Sequence, residues 1–429
     1  MKIAVLGLWH LGTVTAAALA AEGHDVVALD DADVTGALAA GKLPVDEPGL
    51  ADLVAHERAA GRLRFTADAA DAAGAELIWI TYDTPVDDED RPDAEFVLER
   101  ATRFLSEFVG DAVVAVSSQL PVGSVAELER RFDGDRFAFA AIPENLRLGS
   151  AIAYFRAPDR FVAGVRGERA RDVVGRALAF APSIEWMSVE SAEMTKHAIN
   201  AFLATSVTFA NEVASVCERA GADAREVERG LKSDVRVGPK AYVRAGEPFA
   251  GGTLARDLRF LAALGDREQL GLEQLRATAA SNERHRSWAF AQIERALGTI
   301  ASRRIAILGL VYKPGTDTLR ASTSVALARR LHAAGAEVTA FDPAIPPGDE
   351  RLRAFARTTG SADDALRGAD CAVVATGWPQ FREIPAAAYA LMRVPLIVDA
   401  SRFLEDTVRS MPGLEYVAFG RPAAAEGRS

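Results

Sequence analysis

The chain has 429 residues, a formal charge of −11 and 49% apolar residues, which suits about three globular domains, excludes a disordered chain and disfavours a nucleic-acid binder. Two cysteines, Cys217 and Cys371, exclude a disulfide framework and cysteine-held zinc, and no metal site is expected. The opening MKIAVLGLWHLG reads as a first strand rather than a signal peptide and no apolar run reaches spanning length, so a cytoplasmic protein that engages neither membrane nor nucleic acid is expected.

In chain order the first half alternates strand and helix: KIAVLGL, a helix through TAAALAAEG, DVVALD, a helix after EPGLADLV, ELIWITY, a helix through FVLERATRFL and AVVAVSS. Such alternation predicts a parallel sheet, with FAFAAIPE and RFVAGV adding strands before about residue 190. From Ser191 to Ala220 the apolar spacing changes to that of one long helix, expected to cross between domains and to help form a dimer interface. More helix follows through ARDLRFLAALGD and roughly residues 269 to 297. At Arg304 the alternation restarts with RIAILGL, TSVALARRLHAAG, EVTAFDP, CAVVATG and PLIVDA. The fold class is therefore α/β: two Rossmann-like doubly wound domains linked by a central all-helical dimerisation domain. The expected boundaries are 1–190, 191–298 and 299–429. The two α/β ends show no sequence repeat, so similar folds rather than duplicated motifs are expected.

The strand KIAVLG leads into Gly7-Leu8-Trp9-His10-Leu11-Gly12, and Asp30 ends the next strand. A glycine turn between strand and helix, followed by an acidic strand end, suits a dinucleotide with a free ribose 2′-hydroxyl, hence NAD over NADP. Trp9 occupies the place where a second glycine normally lets backbone approach the pyrophosphate. A tight turn without a ligand, with Asp30 capping a helix, is the alternative on this motif alone; His10 reads as a packing or phosphate-proximal side chain.

Further segments carry a resemblance: EPGL from Glu47, Asp83-Thr84-Pro85, Leu120-Pro121-Val122-Gly123, Pro143-Glu144-Asn145-Leu146, Lys196 with Asn200, Asn211-Glu212, Arg236-Val237-Gly238-Pro239-Lys240, Phe249 to Asp257, and Gly309 to Pro314 with Arg320. Over nearly its whole length the chain resembles the UDP-glucose/GDP-mannose dehydrogenase family. That resemblance implies NAD on the first domain, with Thr84 and Gln119 among its contacts, and a nucleotide sugar on the last. It implies a homodimer through the central helix and oxidation of a sugar C6 alcohol in two hydride transfers, with the aldehyde held on a cysteine. It implies substrate contacts from Asn145, Leu146, Arg236, Tyr242, Phe249, Gly251, Lys313, Arg320 and Arg402, Arg236 reaching a neighbour's substrate site.

Lys196 and Asn200 lie four apart, one helical turn, so an ammonium and an amide share a face and can hold one water or oxyanion. Asp257 is a candidate to order the same water or to pair with Lys196. Spacing alone favours a surface lysine beside a packing asparagine; the resemblance reverses that preference to the catalytic reading. Glu144, after a proline at a strand end, is placed as a general base or a substrate-ordering carboxylate, the alternative being a solvated loop glutamate.

Thr253 stands where the family has its nucleophilic cysteine when Phe249 and Asp257 are aligned. A threonine hydroxyl is a poor nucleophile without an activating base. Cys217, on the long helix, and Cys371, at the start of a strand, read as small core residues. Gln119 replaces the family's threonine, Leu148 a common glutamate and Asp83 a glycine. The expected activity is NAD-dependent oxidation of a nucleotide sugar without a covalent intermediate, with redox-neutral epimerisation on tightly bound NAD and a catalytically silent binding protein as alternatives.

Overall fold

The computed structural model describes residues 1–87, 92–132, 136–144, 146, 148–250, 252–409 and 411–422. These divide into two compact units, Met1–Ile199 and Asn200–Ser429.

The first unit runs β1 (Lys2–Leu6), α1 (His10–Ala21), β2 (Asp25–Leu29), α2 (Ala32–Ala39), α3 (Leu50–Ala59), β3 (Leu63–Thr66), β4 (Leu77–Ile80), α4 (Ala94–Glu107) and β5 (Ala112–Val116). It continues with α5 (Ser124–Arg130), β6 (Phe137–Ala141), α6 (Ala151–Arg156), β7 (Phe161–Val165), α7 (Glu168–Ala177) and β8 (Ile184–Met187). Eight strands form one sheet in the order β3-β2-β1-β4-β5-β6-β7-β8. All neighbours are parallel except β6 and β7. Its central strands are apolar runs because helices cover both faces: Ile3, Val5, Leu77 and Trp79 enter the core on one side, while Ala4, Leu6, Ile78 and Ile80 enter the other. This two-residue alternation is the pleat itself.

α8 (Val189–Ala220) is a single helix of 32 residues. Beyond it the second unit holds α9 (Ala224–Ser233), α10 (Thr253–Arg267), α11 (Glu273–His285) and α12 (Trp288–Leu297), so the stretch expected as helix from about 269 to 297 is two helices. Its sheet comprises β9 (Arg304–Leu308), β10 (Glu337–Phe341), β11 (Arg357–Thr358), β12 (Cys371–Val374), β13 (Leu396–Asp399) and β14 (Glu415–Ala418), with α13 (Thr323–Ala333) following β9. The order is β11-β10-β9-β12-β13-β14, all parallel. Ala214, Ala400 and Phe419 share a small core in which Trp288 packs edge-on against Phe419.

The two sheets share a local geometry at their first strands, as similar folds do. KIAVLGL and RIAILGL both form the first strand and the turn after it. Gly7 and Gly309 have φ of +91° and +94°, and a Cβ on either would come within 2.4 Å of Tyr82 or Thr376. The backbone N–H of Leu8 donates to Asp30 at 2.6 Å and that of Leu310 to Asp342 at 2.6 Å. Each acidic residue follows the second strand and ties its end to the turn.

Candidate active site

In the turn between β1 and α1, a Cβ on Gly12 would lie 1.7 Å from the Gly7 carbonyl oxygen, so only glycine allows this close passage. Leu11 is half-buried beside it. Trp9 is the N-cap of α1, is 52% exposed, and gives no side-chain hydrogen bond to the first turn. Asp30 accepts from Leu8, from the N–H of Asp31 at 2.8 Å and from Arg100 at 3.1 Å. His10 contacts the Glu47 carboxylate at 2.9 Å. Glu47, buried, also accepts the N–H groups of Gly149 and Ala151, both at 2.8 Å. It thereby satisfies donors at the start of α6 and links the glycine turn to the loop after β6. Sequence reasoning assigned Glu47 no role; a carboxylate inside the apolar pattern EPGL was the available signal.

At the ends of β4 and β5, the Thr84 hydroxyl donates to the Gln119 carbonyl at 2.8 Å, so these two expected contacts are neighbours. The loop that follows is held by α8. His197 bonds the Leu120 carbonyl at 2.9 Å, and Glu193 accepts from Gly123 at 2.7 Å and Val125 at 2.9 Å. Burial pushes the Glu193 carboxyl up, and the two backbone donors oppose that shift. Lys196 lies on the same helix and donates to the Glu144 carbonyl oxygen, bringing these two candidates together. Leu146 packs against the core of the first unit. Asn145 and Gly251 lie outside the described residues.

In the second unit, Asn200 donates through its amide to Asp257, which is fully buried on α10. Thr253, exposed, is the first residue of α10, after Gly252 at φ +91°. The loop before it is clamped. The side-chain amide of Asn282 accepts from Phe249 N–H at 2.9 Å and donates to its carbonyl at 2.8 Å. Asn211 accepts from Gly246 N–H at 2.9 Å, and His285 contacts the Gly246 carbonyl at 2.7 Å. Tyr242 is exposed near Tyr312, whose phenol is pushed up by burial first and by Tyr242 second. Lys313 is half-buried and Arg320 exposed on the long turn before α13. Arg236, exposed, forms a two-pronged pair with Asp234 at 3.0 and 2.8 Å.

Arg402 is held by its own neighbours. It is 7% exposed and its guanidinium is held by Asp223 at 2.6 and 2.9 Å and by Glu405 at 2.9 and 2.8 Å. Arg225 also reaches Glu405, at 2.6 Å. With its donors directed at two carboxylates, Arg402 braces the start of α9 against the loop after β13.

The NAD binding domain of the UDP-glucose/GDP-mannose dehydrogenase family matches residues 1–179, its central domain residues 190–284 and its UDP binding domain residues 306–406. The chain belongs to this family. A UDP-glucose 6-dehydrogenase of Rhizobium meliloti is 36% identical, covering 98% of this chain and 100% of that protein. A UDP-glucose 6-dehydrogenase of Pseudomonas aeruginosa is 34% identical over 99% and 98%. The structure of a UDP-glucose dehydrogenase from Pyrobaculum islandicum superposes with a TM-score of 0.86 at 29% identity, covering 98% of each chain.

Membership makes the chain an NAD-dependent nucleotide-sugar dehydrogenase, and the first turn fits that cofactor. Its glycines allow the close passage, and the N-terminus of α1 carries no side-chain cap that would compete with a phosphate. The half-exposed indole of Trp9 is the departure at that turn. Cys217 and Cys371 are both buried, and burial pushes the Cys371 thiol far above its ordinary range. Both side chains are enclosed in the protein interior, away from the start of α10 where Thr253 stands.

Proposed function

We propose that this enzyme oxidises a UDP-sugar, passing hydride to NAD without forming a covalent adduct on the protein. The observation that carries this reading is Thr253, exposed at the start of α10 in the family's cysteine position, while both cysteines are buried.

NAD, when bound, supplies the hydride acceptor. The chain's own residues handle charge and position. Lys196, anchored on the Glu144 carbonyl, places an ammonium to stabilise the oxyanion of a sugar alkoxide or aldehyde hydrate. Asn200, one turn further along α8, is oriented by its bond to Asp257, and the pair orders the same water. Glu144 orders substrate or accepts a proton, and Thr253 contacts the sugar without bonding to it. Trp9, His10, Leu11, Asp30, Thr84 and Gln119 contact the dinucleotide. Asn145, Leu146, Arg236, Tyr242, Phe249, Gly251, Lys313, Arg320 and Arg402 bind the sugar nucleotide, Arg236 that of the neighbouring copy.

A second copy of the chain completes the assembly in this reading. Phe202, Phe209 and Val216 are 69, 49 and 65% exposed on α8. Seven-residue spacing puts them along one stripe, as in paired helices. Among the described residues no helix is long and apolar enough to cross a membrane, which is compatible with a cytoplasmic enzyme.

Incubating the protein with NAD and UDP-, GDP-, CDP- and dTDP-sugars tests the reading. NADH formed in stoichiometry with an oxidised UDP-sugar, with unchanged protein mass on quenching during turnover, supports it. A sugar nucleotide trapped on Thr253 would refute the non-covalent route. A changed sugar without net NADH means epimerisation, and binding without either means a silent homologue.

A further inference from the structure

The corner where β2 ends differs from the simple acidic strand end that selects NAD. Asp30 is nearly enclosed, its side chain 12% exposed, and three donors reach it: one oxygen takes Leu8 N–H, the other takes Asp31 N–H and an Arg100 nitrogen. An ionised carboxylate offers about four acceptor positions, so Asp30 retains about one for a ribose hydroxyl. Arg100, projecting from α4, also pairs with Asp31 at 2.9 Å. Its guanidinium lies 4.9 Å from the centre of the Tyr82 ring and 5.5 Å from that of Phe96. Those contacts hold the cation in place, although its buried Nε has no hydrogen-bond partner among the described residues. Arg103, on the same helix, adds its field at Asp31, whose carboxyl is held below its ordinary value chiefly by the bond from Arg100. Two carboxylates thus lie in the field of two guanidinium groups, Arg100 in contact and Arg103 without a direct bond, and the local charge is close to zero.

A carboxylate at this place discriminates against a 2′-phosphate by repulsion, whereas a neighbouring arginine accommodates it. From this geometry we propose that Arg100 is a specificity-determining residue that lets the first domain accept a 2′-phosphorylated dinucleotide as well as NAD. Asp30 gives one acceptor to the ribose of NAD, and Arg100 and Arg103 meet the 2′-phosphate of NADP.

The inference rests on the first turn being the dinucleotide site, so titration of the full-length protein with NAD is the control. Calorimetry then compares NAD and NADP on wild type, Arg100→Met and Asp31→Asn. Expected are NADP binding to wild type within about 30-fold of NAD, a ratio at least about tenfold worse for NADP in Arg100→Met, and a ratio about three- to tenfold better for NADP in Asp31→Asn. Asp31 is largely exposed, so its variant reports on charge even if Arg100→Met folds poorly. NADP failing to bind at millimolar concentration, or a ratio unmoved by either variant, overturns the assignment while NAD binding stands. Absence of NAD binding overturns both it and the site.

Discussion

Replacing Glu247 by glutamine should remove a pH dependence of folding. Glu247 sits in the loop that leads to Thr253, beside His285, Arg286, Trp288 and Ala400, and its carboxyl is pushed from 4.5 up to about 8, first by burial and second by the carboxylate of Asp399. Burial likewise raises Asp399 and lowers His285, which leaves His285 uncharged near neutrality. Between the unfolded and folded values of Glu247, the folded chain keeps a proton that the unfolded chain has released. Stability is therefore greatest below the unfolded value and falls as pH rises towards 8, by about 1.4 kcal/mol per pH unit. At pH 7 the accumulated loss is about 3 kcal/mol, and it levels off near 5 kcal/mol above pH 8. Glutamine has nearly the same shape and does not titrate. Urea unfolding of wild type and Glu247→Gln, followed by tryptophan fluorescence from pH 5 to 9, should give similar midpoints at pH 5 and a widening advantage for the variant up to pH 8. Parallel profiles would refute the reasoning, because they would mean that Glu247 ionises as readily in the folded chain as in the unfolded one.

Lys196→Ala should lower the rate of hydride transfer at least about 100-fold, as loss of an oxyanion donor does, while UDP-sugar affinity by calorimetry changes only a few-fold; unchanged turnover removes its assigned role. Thr253→Ala should retain kcat within about fivefold if no bond forms at this residue; complete loss with normal substrate binding counts against the non-covalent route. Phe209→Asp should weaken self-association about 100-fold by placing a charge on the apolar stripe, measured by analytical ultracentrifugation; an unaltered dimer would put the interface elsewhere.

Much of the fold is legible because buried parallel strands and turn glycines leave short-range marks: DVVALD and PLIVDA each hold an unbroken apolar run that stops at an aspartate, and Gly7 and Gly309 follow directly on their strands. Thr253 stood out by register against Phe249 and Asp257, and Lys196 with Asn200 through the family resemblance, since their spacing alone favours a surface lysine. What could not be read is which side chains satisfy distant backbone donors. Glu47 accepts N–H groups 102 and 104 residues away and Glu193 others at 70 and 68, distances over which spacing carries no signal. The brace at Arg402 was hidden for the same reason: Asp223, which holds it, is 179 residues away. In a chain so rich in arginine, charge alone does not distinguish a brace from a ligand contact.

The bond from Leu8 N–H to Asp30, mirrored by Leu310 and Asp342, limits how this enzyme can be re-engineered. The common way to change coenzyme preference is to replace the acidic residue after the second strand with a small neutral one. Here that exchange would also release the turn N–H and the Arg100 guanidinium. A buried donor left without an acceptor costs about 1–3 kcal/mol, so such a variant would lose the shape of the turn along with its selectivity. Asp31, one residue further on and largely exposed, is the position at which charge can be altered while the turn keeps its acceptor.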